Sequence, residues 1–239
     1  MAANVYVDGF NLYKGVEEHV ARLAQTGTEP PDHWKWIDLR ALGQRLVPGE
    51  PINQIRYFTA RVKPVRANVS APQRQDAYLR ALQTLPGLSV HFGLFKTGKT
   101  RMPLHRGIGP IRELGLRLVG LKPKRYPDGN VSVQVMKTEE KGSDVNLASY
   151  LLLDAFHGSY SKAVVISNDT DLCEPVRIVA EEFGLPVMVV TPRAFQPVAK
   201  DLEKVASATR KLRLAAVVKS QLPATLADPN GVVHRPAVW

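Results

Sequence analysis

Short runs of apolar and β-branched residues recur along the chain and predict buried strands. They lie at residues 4–7, 54–62, 88–95, 131–136, 163–166 and 187–190. The run at 131–136 alternates in polarity, whereas 163–166 (AVVI) and 187–190 (VMVV) do not. Strands that lack alternation are typical of a parallel sheet covered on both faces.

Helical patterns separate these runs. Asp38 is expected to cap a helix at 39–47, Pro72 to open one that continues to Leu85, and Ser143 to cap one at 144–156. Further helices are predicted after the first strand, at 175–183 before Gly184, and as one amphipathic helix from about 198 to 218. Strands alternating with helices predict an α/β fold whose mainly parallel central sheet is flanked by helices.

The length of 239 residues predicts one α/β domain with appendages, because one domain has roughly 100–200 residues. We assign residues 1–219 to this domain. Residues 220–239 contain Pro223, Pro229 and Pro236, and we expect an extended tail that lies on this or a neighbouring subunit. The tail is therefore a candidate contact in a homo-oligomer.

The net charge of +10 is concentrated in one segment. Residues 96–125 hold nine basic residues and one acid, a net of +8, which leaves +2 for the rest of the chain. Repeated Gly and Pro predict loops with short hairpin strands, inserted at 96–130. Clustered cations bind a phosphate backbone by releasing its counterions. The candidate substrate-binding residues are Lys96, Lys99, Arg101, Lys122, Lys124 and Arg125; the alternative is a solvated loop that only adds solubility.

Cysteine content and hydropathy limit the cellular setting. Cys173 is the only cysteine, which excludes an intrachain disulfide and fits a reducing compartment. No apolar run reaches the ~18 residues of a membrane span, and the first residues do not resemble a signal peptide. We therefore expect a cytoplasmic protein with no membrane partner.

Acidic residues follow several predicted strands. Asp8 comes after the first strand, Asp144 opens the helix behind 131–136, and Asp169 and Asp171 follow 163–166. Ligands of parallel α/β sheets bind at the carboxyl ends of the strands. Each acid alone could be a turn or cap residue, but together they would repel one another unless cations or protons intervene.

Oxygen-only clusters suit Mg²⁺ or Mn²⁺, and such sites serve phosphodiester hydrolysis. Asn11, Ser167 and Asn168 lie beside these acids and could orient a water or bind a phosphate. Asp154 is left out, because ten helical residues separate it from Asp144 by roughly 15 Å.

Two other motifs match known catalytic patterns, but the sequence around each of them does not fit the required structure. Residues 93–100 fit the P-loop pattern GxxxxGK[ST], but glycines and prolines follow instead of the helix that must hold the phosphates. The pair Asp169 and Asp171 resembles the loop of haloacid-dehalogenase-type phosphatases, which belongs after the first strand, where this chain has Asp8.

Four stretches together resemble the NYN domains of the PIN-like nuclease superfamily, in the LabA-like branch. They are VYVDGFNLY at 5–13, EEKGSDVNLA at 139–148, AVVISNDTDL at 163–172 and GLPVMVV at 184–190. The resemblance covers about residues 4 to 219. It implies a three-layer PIN-like (Rossmannoid) fold and a metal-dependent ribonuclease.

The resemblance also implies the roles of the residues. Asp8, Asp144 and Asp169 would be the principal ligands of Mg²⁺ or Mn²⁺, with Asp171 as a fourth acid. Asn11 would fix Asp8 or contact substrate, while Ser167 and Asn168 would shape the pocket. RNA would be cleaved by in-line attack of a water. The alternative is a non-catalytic RNA-binding or regulatory module with the same fold.

Overall fold

The computed structural model describes residues 2–29, 33–64, 68–104, 115–116, 120–193 and 195–237, without the side chains of 97 and 138–140. The chain forms two compact units, of which one is Phe95–Lys141 and the other, the main unit, holds the remaining described residues. Arg106, Arg112 and Arg117 of the basic segment lie outside the described residues.

The described residues include ten strands. They are β1 Ala3–Asp8, β2 Ile52–Ala60, β3 Leu88–Pro103, β4 Lys124–Arg125, β5 Val131–Lys141, β6 Lys162–Ile166, β7 Val187–Thr191, β8 Ala208–Lys211, β9 Thr225–Asp228 and β10 Gly231–His234. In the main unit the sheet has the order β3-β2-β1-β6-β7-β8, and each neighbouring pair is parallel. The predicted α/β fold with a mainly parallel central sheet is confirmed.

Seven α-helices lie in the described chain. They are α1 Gly9–Gln25, α2 Leu39–Leu46, α3 Ala71–Gln83, α4 Ser143–Phe156, α5 Cys173–Arg177, α6 Lys200–Val205 and α7 Leu214–Val218. A 3₁₀ turn, Thr170–Leu172, precedes α5, and a π-helical turn, Ile178–Glu182, follows it. No helix among the described residues is long and apolar enough to cross a membrane.

Alternation along the strands builds two cores, one on each face of the sheet. In β1, Val5 and Val7 pack in the core that includes Leu12 of α1 and Leu42 of α2. Tyr6 belongs to the core that includes residues of α4, α5 and α6. Because both faces are covered, β1 and β7 are buried at every position and β6 at every position after Lys162, which explains their continuous apolar runs.

The helix starts agree only in part with the predicted caps. Asp38 accepts hydrogen bonds from the backbone N–H groups of Arg40 and Ala41, both at 2.8 Å, and caps α2 as predicted. The predicted cap of α4 is wrong, because Ser143 is the first helical residue. Gly142 precedes the helix with φ of 92°, a conformation that favours glycine.

The single helix predicted at 198–218 is also wrong. The chain forms α6, then β8, then α7. The backbone N–H of Ser207 donates to the carbonyl of Val187 at 2.9 Å, and its hydroxyl accepts from the Val187 N–H at 3.1 Å. A parallel partner for β7 thus satisfies backbone groups that a continuous helix would leave unpaired.

The C-terminal segment is a packed hairpin instead of the extended tail predicted for 220–239. Strands β9 and β10 pair antiparallel, and Asp228 forms an ion pair with Arg80 of α3 at 2.7 Å. Val233 lies in the core, and the Trp36 indole donates to the carbonyl of Pro223 at 2.8 Å. Contact of this segment with a second copy stays a prediction.

The unit Phe95–Lys141 contains the second part of β3 with β4 and β5. Lys96, Lys99 and Arg101 lie on β3, not on the loop predicted for them, because the strand continues to Pro103. All of residues 93–100 are therefore extended, and the P-loop interpretation has no loop or helix to support it. Lys124 and Arg125 form β4, which pairs antiparallel with β5.

Candidate active site

The carboxyl ends of β1 and β6 bring polar residues to one edge of the sheet. The two strands are parallel, with Val7 opposite Ile166, so Asp8 and Ser167 follow at the same level. The Ser167 hydroxyl donates a hydrogen bond to Asp8 Oδ2 at 2.9 Å. The predicted meeting of these two strand ends is therefore seen directly.

Asp8 both caps α1 and faces the sheet edge. Its Oδ1 accepts a hydrogen bond from the Asn11 backbone N–H at 2.9 Å, and the residue is only 6% exposed. Burial raises the pKa of Asp8, hydrogen bonds from Asn11 and Ser167 oppose this shift, and the Asp169 charge adds to it. The carboxylate is thus held in a fixed geometry in a place where its charge is costly.

The turn after β6 positions two further carboxylates. The Asp169 N–H donates to the Ser167 hydroxyl oxygen at 3.2 Å, and the Asp171 N–H donates to Asp169 Oδ1 at 3.1 Å. Asp169 thereby caps the 3₁₀ turn, while Asp171 is exposed. The polar sequence after 163–166 folds into this turn because its side chains satisfy the backbone N–H groups of the turn.

Asp144 lies in the first turn of α4, and the charges of the other three acids contribute to its raised pKa. Burial raises its pKa to about 6, with further contributions from the charges of Asp8, Asp169 and Asp171, in that order. The structure therefore brings the four predicted acids into one electrostatic group, here called the acidic cluster.

The Asn11 side chain offers another oxygen next to the acidic cluster. Its Oδ1 is buried and has no hydrogen-bond partner among the described residues. Buried polar atoms are rarely left unpaired, so this acceptor is suited to an external donor or cation. No three described His, Cys, Asp or Glu side chains form a group that could itself hold a metal ion. The donors are all oxygens, as Mg²⁺ and Mn²⁺ prefer. To complete the coordination of such an ion, waters or substrate phosphate oxygens would be needed as well.

Asn168 fixes the turn that carries Asp169, and its predicted part in shaping the pocket stays a prediction. Its Oδ1 accepts from the Ala199 N–H at 2.9 Å, and its Nδ2 donates to the Pro197 carbonyl at 3.3 Å. Both ends of the amide are therefore used to fasten the turn after β6 to the segment that leads into α6.

The predicted basic residues lie in the unit Phe95–Lys141 and are exposed. Arg101 donates to the carbonyl of Lys122 at 3.2 Å, and the Lys124 ammonium lies 5.2 Å from the centroid of the Tyr126 ring. Arg125 donates to the carbonyl of Gly129 at 3.4 Å. Their use in RNA binding stays a prediction.

One feature of the main unit was missed by the sequence analysis. A cavity of about 230 Å³ lies beside the start of α1 and is lined by aromatic residues, by Lys35 and Arg74, and by Thr59 of β2. Thr59 is the residue from which the cavity could have been predicted, because it is a polar residue near the carboxyl end of a predicted strand. The rest of the lining comes from the first turns of α1, from Tyr57 of β2, from residues 62 and 68, from 34–37 and from α3. How these segments approach one another depends on tertiary packing.

Comparison with known proteins does not assign the chain to a family. No family model matches the chain. It is 26% identical over 214 residues to the 6-hydroxy-3-succinoylpyridine 3-monooxygenase HspA of Pseudomonas putida. The match covers 82% of this chain and 61% of that protein, so the chain spans about three fifths of the relative. A crystal structure of a Vibrio parahaemolyticus protein of unknown function is similar with a TM-score of 0.47 and 12% identity, over 89% of this chain and 93% of that chain.

Neutralising Asp144 is expected to stabilise the metal-free protein near neutral pH. A pKa raised from 3.8 to about 6 means that ionisation costs more in the folded state than in the unfolded chain. Stability should therefore fall as the pH rises from about 4 to about 6, and stay lower above that range. Because this side chain is half exposed and its charge is partly screened by solvent, Asp144→Asn should raise the free energy of unfolding by about 1 kcal/mol.

Urea unfolding in EDTA at pH 4 and pH 7.5 checks this prediction. The gain of Asp144→Asn should be present at the higher pH and nearly absent at the lower one. Asp201→Asn is the control, because Lys204 lowers the pKa of that exposed acid and its loss should give no gain. An equal change for Asp144→Asn at both pH values would contradict the electrostatic interpretation.

Proposed function

We propose that the protein is a Mg²⁺- or Mn²⁺-dependent ribonuclease. The observation that carries the proposal is the acidic cluster itself. Four carboxylates from three segments act on one another, the pKa of Asp144 is raised to about 6, and none of the four forms an ion pair within the described chain. A divalent cation would remove this repulsion, and the resemblance of the same residues to NYN domains supports the assignment.

The side chains have distinct tasks in this proposal. Asp8, Asp144 and Asp169 would supply carboxylate ligands to the ion, with Asp171 as a fourth acid, Asn11 Oδ1 as a neutral donor, and waters or substrate phosphate oxygens as the further ligands. Ser167 and the Asn11 N–H keep Asp8 in place, since each occupies one carboxylate oxygen and leaves that oxygen a further lone pair. When bound, the ion would lower the pKa of an attacking water and stabilise charge on the phosphate.

A cleavage assay tests the proposal. Single-stranded RNA incubated with the purified protein should be cut when Mg²⁺ or Mn²⁺ is present and left intact in EDTA. Asp169→Asn, purified identically, should bind RNA without cleaving it. RNA binding by the wild type without cleavage in either ion would instead support the non-catalytic RNA-binding module.

The basic segment is proposed to bind the RNA backbone. Replacing Lys122, Lys124 and Arg125 by Gln should weaken binding and reduce the slope of log K against log salt by about 2, since each single-strand phosphate contact contributes about 0.7. The measurement is fluorescence anisotropy over a series of salt concentrations. Replacing the exposed Lys200, Lys211 and Lys219 removes the same charge elsewhere and is the control. An unchanged slope in the first variant would exclude these residues as phosphate contacts.

Monooxygenation is a second candidate, favoured by two observations. The match to HspA covers 82% of this chain. The cavity beside α1 also has the size and the aromatic lining for one substituted ring. The monooxygenase candidate is tested by measuring oxygen uptake with 6-hydroxy-3-succinoylpyridine and a reduced nicotinamide donor. Uptake no faster than that with the donor alone would exclude that substrate.

A further inference from the structure

The cavity beside α1 is walled by aromatic rings. Tyr13 and Trp34 have ring centroids 6.1 Å apart and planes tilted by 37°, and Tyr57 meets Tyr78 edge to face at 6.2 Å. All four side chains line the cavity. Aromatic rings arranged in this way stack against, or present their edges to, another planar ring.

The size of the cavity limits its ligand. Its volume of about 230 Å³ exceeds the roughly 150 Å³ of an engineered cavity that accommodates benzene. It is smaller than the roughly 300 to 1,000 Å³ of pockets for drug-sized molecules. One aromatic ring therefore fits inside, and a substituent that reaches the partly exposed Lys35 and Arg74 extends toward solvent.

Two cations give the cavity a positive end. The Lys35 ammonium lies 4.7 Å from the Trp34 ring centroid and 5.2 Å from that of Tyr13. Burial lowers the pKa of Lys35, the Glu17 charge raises it, and the Arg74 charge lowers it. Arg74 donates to the neutral side chains of Ser70 and Asn68.

Neither Lys35 nor Arg74 forms an ion pair within the described chain. The two like charges act on one another, and the Glu17 charge that acts on Lys35 stays beyond ion-pair distance of both cations. An anionic group from a ligand would accept charge-assisted hydrogen bonds from both.

We propose that this cavity binds a single planar aromatic ring that carries a carboxylate or phosphate, with the ring among the four aromatic side chains and the anion at Lys35 and Arg74. Such a ligand could be a small aromatic acid or a pyrimidine nucleotide. The site does not depend on the ribonuclease proposal, because it uses none of the acidic cluster.

Calorimetric titration with benzoate and with UMP tests the site and separates the two sources. At least one should bind saturably, and its matched fragments, acetate or inorganic phosphate without a ring and benzamide without a charge, should bind at least about ten-fold more weakly. Benzoate binding alone assigns a small aromatic acid, and UMP binding alone assigns a nucleotide. Absence of saturable binding by both would overturn the proposal.

Charge variants locate the bound anion. Lys35→Gln and Arg74→Gln should each weaken binding of the active probe about ten-fold. Lys14→Gln removes a charge from the exposed side chain next to Tyr13, outside the cavity, and should leave the affinity unchanged. Thermal unfolding would confirm that the variants fold. Equal weakening by all three, or none by Lys35→Gln and Arg74→Gln, would contradict the assigned site.

Discussion

Asp8→Asn is expected to lower RNA cleavage about a thousand-fold while the protein stays folded. The loss follows because a metal ligand contributes several kcal/mol of transition-state stabilisation, and each 1.36 kcal/mol is about ten-fold in rate. Folding should survive because Asn is as good a helix cap as Asp and can still accept from the Asn11 N–H. Its amide can donate to the Ser167 hydroxyl, which already accepts from the Asp169 N–H.

The measurement is the single-turnover cleavage rate at saturating Mn²⁺, with RNA affinity and thermal unfolding recorded for the same preparations. Asp201→Asn removes an equal charge from an exposed position of α6 that pairs with Lys204, and should cleave like the wild type. Wild-type cleavage by Asp8→Asn would show that the carboxylate assignment is wrong. A cleavage defect accompanied by a lower unfolding temperature would point to lost stability.

Local pattern was sufficient to predict most of the fold and the meeting of the β1 and β6 strand ends. The apolar runs that end at Val7 and Ile166 are buried at every position, so their strands had to be central and parallel. Parallel strands end at the same edge, which is why Asp8 and Ser167 could be expected to meet. Whether the acidic cluster binds a metal ion depends on ligands outside the chain and stays a prediction.

The parts of the fold that were predicted wrongly depend on contacts between segments far apart in the sequence. The β8 edge strand depends on β7, and the C-terminal hairpin depends on α3 through Arg80 and Asp228. A turn signal for that hairpin was present, since Pro229 and Asn230 precede Gly231, which adopts φ of 112°. The three prolines of this segment predict an extended tail, because nothing local indicates the surface of the main unit on which the hairpin packs.

Asp154 is a second case in which partners far along the chain determine the role. Its separation of about 15 Å from Asp144 along the helix predicts a place outside the metal site. In the structure it is 3% exposed, and it accepts two hydrogen bonds from Arg56, both at 2.7 Å. The Tyr6 hydroxyl donates a third, also at 2.7 Å. It therefore joins α4 to β1 and β2.

Asp154→Ala is expected to lower the free energy of unfolding by about 3 to 5 kcal/mol. Removing one partner of a buried ion pair leaves the other as an uncompensated charge. Among the described residues, Arg56 would keep a 3.4 Å contact with His91 and the face of the Tyr150 ring, 4.4 Å from its guanidinium carbon. Urea unfolding followed by far-UV circular dichroism measures the loss. The exposed pair of Arg61 and Asp76 is the control, so Asp76→Ala should cost less than about 1 kcal/mol.

A double variant separates the cost of the unpaired charge from the loss of packing. Arg56→Met combined with Asp154→Leu replaces both charges by apolar side chains, and buried pairs replaced in this way often retain or gain stability. The double variant should therefore unfold at a higher urea concentration than Asp154→Ala alone, although Tyr6 still lacks its acceptor. If it is as unstable as the single variant, the stability at this position comes from packing and from the Tyr6 hydrogen bond. Burial of Arg56 without its carboxylate would then be tolerated, and the ion pair would not be what joins α4 to the sheet.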